Sequence, residues 1–306
     1  MNIILAKPRG FCAGVERAIK SVEQALERYG APVYVLNDIV HNAAVVQTLA
    51  DKGAVFVTSL HDVPEGAHLL FSAHGVGPDK WAMALERNLD VIDATCPLVE
   101  KVHREARRFA AEGYSIILIG QAEHDEVVGT VGQARESIKV VFTEEDVAAL
   151  HLEADSKVAY LTQTTLSVED SQRIIAALKR KFPAIEGPPA DDICYATQNR
   201  QAAVNALVTE ADLVLVIGDE SSANSARLAE ICQHKGKPSH LIASAEMIRD
   251  EWLDGVETVL VTSGASAPEA QVQGVVEYLT SREPCVVTEC EIVPEAVHFK
   301  LPRPFP

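Results

Sequence analysis

No apolar run among the 306 residues approaches the ~20 needed to span a bilayer. The first ten residues carry only Ile3, Ile4, Leu5 and Ala6 before Lys7 and Arg9, too little for a secretory signal core. A soluble protein of the cytoplasm, with no membrane partner, is the expectation. Basic residues are scarce as well: 27 Lys and Arg stand against 44 Asp and Glu, a formal charge of -17, and such a surface repels polyanions over most of its area. Nucleic acid is therefore disfavoured as a partner. Low-complexity sequence is absent, and so are a GxGxxG turn after a strand, a Walker A loop, a GxSxG elbow and an HExxH helix. Nucleotide-driven, serine-hydrolase and zincin chemistries lose their support.

What is present is an apolar fraction of 47%, enough for a sizeable core and for two or three domains. Val, Ile and Leu cluster at 2–6, 32–36, 68–73, 115–120, 157–162, 213–218 and 258–263, short runs that read as buried strands. Stretches of helical spacing lie between them, such as Val15, Ala18, Ile19, Val22 and Leu26. Alternating strand and helix predicts a parallel α/β fold.

An internal repeat runs through this pattern. Cys12, Cys96 and Cys194 each precede a helix-like stretch, at 14–28, 97–111 and roughly 197–210. After the next strand comes a polar residue at nearly constant distance from the cysteine: His41 at +29, His124 at +28 and Ser222 at +28. A later strand ends likewise, at His74 (+62), Thr164 (+68) and Ser266 (+72). Three similar α/β units follow, 1–97 with Cys12 and Cys96 at its ends, 98–193 and 194–281, with a proline-containing C-terminal tail at 282–306 packed on the core. Each unit offers one thiol and two polar side chains from strand-end loops, where ligands of open parallel sheets sit.

A thiol just before a helix has the positive end of the dipole beside it, which favours the metal-binding thiolate. Three thiolates at equivalent places suit either zinc with an open position or an iron-sulfur cluster. A four-iron cluster with three protein ligands would leave one iron open to substrate, the equipment of a reductase or of a dehydratase. Cys232, Cys285 and Cys290 fall outside the repeat and read as packing residues. His41, His74 and His124, with Ser222, Asn224, Ser266 and helix N-terminal amides, supply donors suited to a small phosphorylated compound. Glu126, two residues after His124, becomes a proton donor if it is buried.

The segments PRGFCAGV (8–15), VHNAAVV (40–46), SAHGV (72–76), DATCPLV (93–99), TQTTLS (162–167), DDICYAT (191–197) and GASAP (264–268) resemble, in order and across nearly the whole chain, the 4-hydroxy-3-methylbut-2-enyl diphosphate reductases. The resemblance implies a trefoil of three α/β units around a central [4Fe-4S] cluster held by Cys12, Cys96 and Cys194. It implies diphosphate binding by His41, His74, His124, Ser222, Asn224 and Ser266, with Thr164 and Glu126 near the substrate hydroxyl and Glu126 as the proton source. The implied activity is that of an iron-sulfur oxidoreductase: reductive dehydroxylation to isopentenyl and dimethylallyl diphosphate, the last step of the methylerythritol phosphate route, fed by an electron-donor protein such as ferredoxin or flavodoxin. Departures from the family pattern are Gln121 for histidine, Gln198 for threonine, and Asp219, Glu220 and Ala223 within GDESSANS (218–225). Glu220 is expected to point outward to water, because a bare carboxylate beside a diphosphate would oppose its binding. The rival readings are an iron-sulfur hydro-lyase, a cluster-based sensor and a zinc protein.

Overall fold

The computed structural model describes residues 1–152 and 156–305, leaving 153–155 and Pro306 outside. The first third of the chain forms β1 (Asn2–Lys7), α1 (Ala13–Tyr29), β2 (Val33–Leu36), α2 (Ala43–Asp51), β3 (Ala54–Val57), β4 (His68–Phe71), α3 (Pro78–Glu86) and β5 (Asp90–Asp93). Next come α4 (Pro97–Ala111), β6 (Ser115–Ile119), α5 (Asp125–Gln133), β7 (Ile138–Val141), α6 (Glu144–Ala149), β8 (Val158–Thr162) and α7 (Val168–Lys181). The last third supplies α8 (Tyr195–Leu207), β9 (Leu213–Ile217), α9 (Ala223–His234), β10 (Ser239–Ile242), β11 (Thr258–Ser263), α10 (Glu269–Arg282) and β12 (Val286–Glu291). All seven strands read from the sequence are there, and every strand pairing is parallel.

The strands form three sheets, ordered β3-β2-β4-β5, β7-β6-β8 and β10-β9-β11-β1-β12. The repeat seen in the cysteines is thus a repeat of topology. In each sheet the strand following a cysteine-led helix is central, the next strand lies on one side, and the strand after that on the other. The strand before each cysteine then pairs with that last strand: β5 on β4 before Cys96, a bridge from Glu186 to Ala159 of β8 before Cys194, and β1 on β11 before Cys12.

This pairing rule explains the departures from the sequence reading. β1, placed by the sequence in the unit 1–97, hydrogen-bonds in the C-terminal sheet, because the sheet that precedes Cys12 in the cycle is the last one made. The tail is likewise more than an extended cover: Val286–Glu291 adds β12 to the other edge of β1.

By backbone contacts the chain forms two compact units. One comprises Met1–Val15, His41–Val45 and Tyr195–His298. In its five-stranded sheet β1, β9 and β11 are buried on both faces, so they are nearly continuously apolar and alternate side chains serve opposite layers, while the edge strand β12 is largely exposed. Ile3, Leu5, Leu213, Leu215, Val259 and Val261 pack with Val272, Val275 and Leu279 of α10. Ile4, Ala6, Val214, Val216 and Leu260 pack with Val204 and Leu207 of α8 and Leu228 of α9. Cys232 is part of this second layer, and burial pushes its thiol up to about 12. It is a core residue, as expected.

The other unit, Glu16–Val40, Val46–Cys194 and Phe299–Pro306, holds the remaining two sheets. The α4 positions Val102, Ala106 and Phe109 pack on Ile116, Leu118 and Leu161 from one side of the β6–β8 sheet. Ile117, Ile119 and Val158 face Ile174 and Leu178 of α7 on the other. Each such fully buried aliphatic side chain contributes about 1.5–3 kcal/mol, which fixes the sheets from whose ends the polar loops project.

Candidate functional site

Each singled-out residue follows the C-terminal end of a parallel strand or sits at the start of the helix that comes next. Cys12, Cys96 and Cys194 immediately precede α1, α4 and α8 and are half-buried. Each cysteine backbone N–H is tied to a loop that carries a polar residue of the repeat. Cys12 N–H donates to the Ala265 carbonyl at 3.1 Å, Cys96 N–H to Ala73 at 2.9 Å and Cys194 N–H to Thr164 at 3.0 Å. Thus every thiol is joined through one backbone bond to the residue beside Ser266, the residue beside His74, or Thr164 itself. Each of the three thiols thus stands at the N-terminus of a helix of 13 or more residues, a setting that favours the thiolate, the form that ligates an iron-sulfur cluster.

In the unit containing the C-terminal sheet, α9 starts between the ends of β9 and β11. Ser222 is its N-cap, its Oγ accepting from Ser225 N–H at 3.4 Å. Close approach is required here: a Cβ on Gly264 would lie 1.9 Å from Ser225 Oγ, and one on Gly218 2.3 Å. Ser266 Oγ donates to the His41 carbonyl at 2.9 Å and lies 3.3 Å from Ser222 Oγ. Asn224, in the first turn of α9, is only 3% exposed, and neither its Oδ1 nor its Nδ2 has a hydrogen-bond partner among the described residues. Burying an unpaired amide costs on the order of 1–3 kcal/mol, so this side chain is set for something other than folding. His41, Ser222, Asn224 and Ser266 therefore belong to one cluster, with helix N-terminal amides that favour an anion.

The substituted loop does not spoil that cluster. Asp219 is turned into the backbone: it accepts from Ser221 N–H and Oγ and from Ala43 N–H, the first amide of α2. Burial opposes its charged form, but those bonds and the nearby His41 outweigh burial and hold its carboxyl below the ordinary value. Glu220 is exposed, as the sequence reading expects.

In the other unit, His74 and His124 stand edge to face with ring centroids 5.9 Å apart. His74 Nδ1 lies 3.2 Å from Ser72 Oγ and 4.0 Å from Asp125 Oδ2, and Asn37 donates to the other oxygen of Asp125 at 3.1 Å. His124 caps α5, its Nδ1 accepting the Glu126 N–H at 3.1 Å. In the neutral ring the proton then sits on Nε2, which becomes a donor.

Glu126 is 2% exposed. Its Oε1 accepts Thr164 N–H at 2.6 Å and its Oε2 lies 2.9 Å from Thr164 Oγ1. Burial pushes its carboxyl up to about 7, the two Thr164 bonds pulling the other way and the Asp192 charge adding to the rise. Because the backbone amide occupies Oε1, a proton taken up by the carboxyl sits on Oε2, beside the Thr164 hydroxyl.

Three further residues shape this arrangement without having been singled out in the sequence. Gln163, 1% exposed, accepts Gln121 N–H at 3.0 Å, holding the loop that leads to His124 and Glu126, and Gln121 thus contributes through its backbone. Asp192, whose carboxyl burial raises to about 6, accepts Thr162 N–H at 3.0 Å and Lys101 Nζ at 3.1 Å. His103 lies beneath the turn bearing His74, where a Cβ on Gly75 would come within 2.7 Å of its ring. Burial and then Arg107 lower it to about 4, so it stays neutral. The signals available were the positions beside Thr164 and two before Cys194, and the apolar stripe of α4 on which His103 falls.

Comparison with known proteins agrees with this fold. The family described as LytB protein matches residues 3–280. The 4-hydroxy-3-methylbut-2-enyl diphosphate reductase 1 of Mycobacterium bovis is 52% identical over 303 residues, covering 99% of this chain and 90% of its own. The reductase of that name from Acidothermus cellulolyticus is 52% identical over 302 residues, covering 98% and 89%. The solved E-1-hydroxy-2-methyl-but-2-enyl-4-diphosphate reductase of Plasmodium falciparum is 41% identical and matches 99% of this chain and 96% of its own at a TM-score of 0.96. Full-length likeness of sequence and of fold together mean that the chain belongs to the LytB family, the 4-hydroxy-3-methylbut-2-enyl diphosphate reductases.

Proposed function

We propose that this chain reduces 4-hydroxy-3-methylbut-2-enyl diphosphate to isopentenyl and dimethylallyl diphosphate, the last step of the methylerythritol phosphate route to isoprenoids, in the cytoplasm. The observation that carries the reading is the Glu126–Thr164 pair: a carboxyl sealed from water, held at two atoms and raised to about 7, is an acid that still holds its proton in a large share of molecules at neutral pH.

Cys12, Cys96 and Cys194 would hold a [4Fe-4S] cluster. When bound, the cluster supplies single electrons and an open iron for the departing hydroxyl. The electrons come from a small electron-transfer protein of the ferredoxin or flavodoxin kind. Overall the allylic C–O bond breaks, two electrons and two protons are consumed, and water and the allylic product result.

The chain's own residues supply binding and protons. His41, Ser222, Asn224 and Ser266 bind the diphosphate with His74 and His124, through hydrogen-bond donors and helix amides rather than lysines. The unpartnered Asn224 amide gains its hydrogen bonds on binding. Glu126 Oε2 passes its proton to Thr164 Oγ1, 2.9 Å away, and Thr164 hands it to the substrate hydroxyl side. Iron and acid-labile sulfide analysis of anaerobically purified protein tests the cofactor. The wild type and Cys232→Ser are expected to hold the cluster while Cys12→Ser, Cys96→Ser and Cys194→Ser lose it. Zinc in place of iron, or a full cluster in any of those three variants, would overturn the assignment.

A further inference from the structure

We propose that Arg17, Lys101 and Arg200 are positioning residues for the three thiols, each carried on one cysteine-led helix and gripping the backbone that delivers the next cysteine. Arg17 lies five residues after Cys12, Lys101 five after Cys96 and Arg200 six after Cys194, so each cation stands just beyond the first turn of its helix. Arg17 donates from Nη1 to the Thr95 carbonyl at 2.9 Å and from Nη2 to Asp93 at 3.3 Å, the stretch that ends in Cys96. Lys101 Nζ donates to the carbonyls of Ala190 at 2.6 Å and Asp191 at 2.8 Å and to Asp192 Oδ1 at 3.1 Å, the stretch that ends in Cys194. Arg200, wholly buried, donates from Nη2 to the Gly10 carbonyl at 2.7 Å, two residues before Cys12.

The order closes on itself: the Cys12 helix holds the approach to Cys96, the Cys96 helix that to Cys194, and the Cys194 helix that to Cys12. It parallels the strand pairing in which the segment before each cysteine joins the preceding sheet. A carbonyl held by a cation fixes the peptide plane it belongs to, and so the backbone angles that aim the following Cα–Cβ bond. Lys101 is the fullest case, since its three acceptors match the three donors of an ammonium group. Each thiol is thereby fixed on both sides, by its own N–H to one loop and by its upstream carbonyls to a cation.

The inference rests on the proposed cluster, and the experiment separates the two. Lys101→Met and Arg17→Met keep the aliphatic stem while removing the donors, and Lys101→Arg restores a cation. Reconstituted holoprotein is followed by amide hydrogen exchange and by iron release to a chelator. Exchange is expected to rise on the order of tenfold at 190–194 in Lys101→Met and at 93–96 in Arg17→Met, without spreading to the other sheets. Iron release is expected to quicken in both and to return toward the wild-type rate in Lys101→Arg. Unchanged exchange in the gripped segments, or unchanged iron release with altered exchange, would overturn the inference. Wild-type protein that takes up no iron would instead overturn the cluster assignment, and the exchange pattern would still decide whether the cations fix these segments.

Discussion

Replacing Glu126 by glutamine separates a cost in stability from a gain in chemistry. In the folded protein the carboxyl is raised from 4.5 to about 7, chiefly by burial. A raised carboxyl pKa means that the native state holds the proton more tightly than the unfolded chain. The associated stability is complete below about pH 4.5 and is lost as the pH rises to about 7, a change of ~3 kcal/mol at about 1.4 kcal/mol per unit. Glutamine has no such titration. Its Oε1 can accept the Thr164 N–H and its Nε2 can donate to Thr164 Oγ1, so both contacts of the acid are kept. The variant should therefore gain ~3 kcal/mol relative to wild type between about pH 5 and about pH 8, read from denaturant unfolding of the two proteins side by side. Over the same range kcat should fall by roughly a hundredfold or more with little change in KM, because the donor has lost its proton. Parallel stability profiles for the two proteins would refute the buried-acid reasoning, and a near-normal kcat would move the proton source elsewhere.

Asn224→Ala should raise KM for the diphosphate substrate by about tenfold or more, the loss of charge-assisted hydrogen bonds, while leaving thermal stability unchanged or higher because a buried unpaired amide disappears. Gly264→Ala places a Cβ where only 1.9 Å separates it from Ser225 Oγ, so it should destabilise by about 1–3 kcal/mol and weaken substrate binding by shifting the start of α9. Calorimetry and steady-state kinetics read the two effects separately. Glu220→Asn should change KM by less than about threefold at moderate salt, since Glu220 is exposed and its field is screened. A large, salt-sensitive fall in KM would show that it faces the ligand.

The cysteine register was legible because one spacing recurs three times, and the central strands because burial on both faces leaves an unbroken apolar run. The strands not read, such as β3, β5, β7 and β10, span four residues each and are partly exposed, so they carry no period long enough to see. The placement of β1 was hidden for a different reason: its partners at 258–261 and 286–291 are remote in the chain, and nothing local specifies them. Glu126 stood in an acidic loop, QAEHDE, with the composition of a surface turn, and only the packing of β8 and α5 shows that it is sealed. Arg17, Lys101 and Arg200 do share a register with the cysteines, but a basic residue beyond the first turn of a helix is common. What distinguishes them is the carbonyls they grip, which the fold alone brings to them.

The most direct test of the proposed reaction is the electron count for anaerobic turnover of 4-hydroxy-3-methylbut-2-enyl diphosphate, with a reduced viologen dye as donor and the products separated and quantified. Two electrons are expected to be consumed for each molecule of isopentenyl or dimethylallyl diphosphate formed. Consumption of the substrate with release of water and no oxidation of the dye would contradict it and would mark the protein as a hydro-lyase.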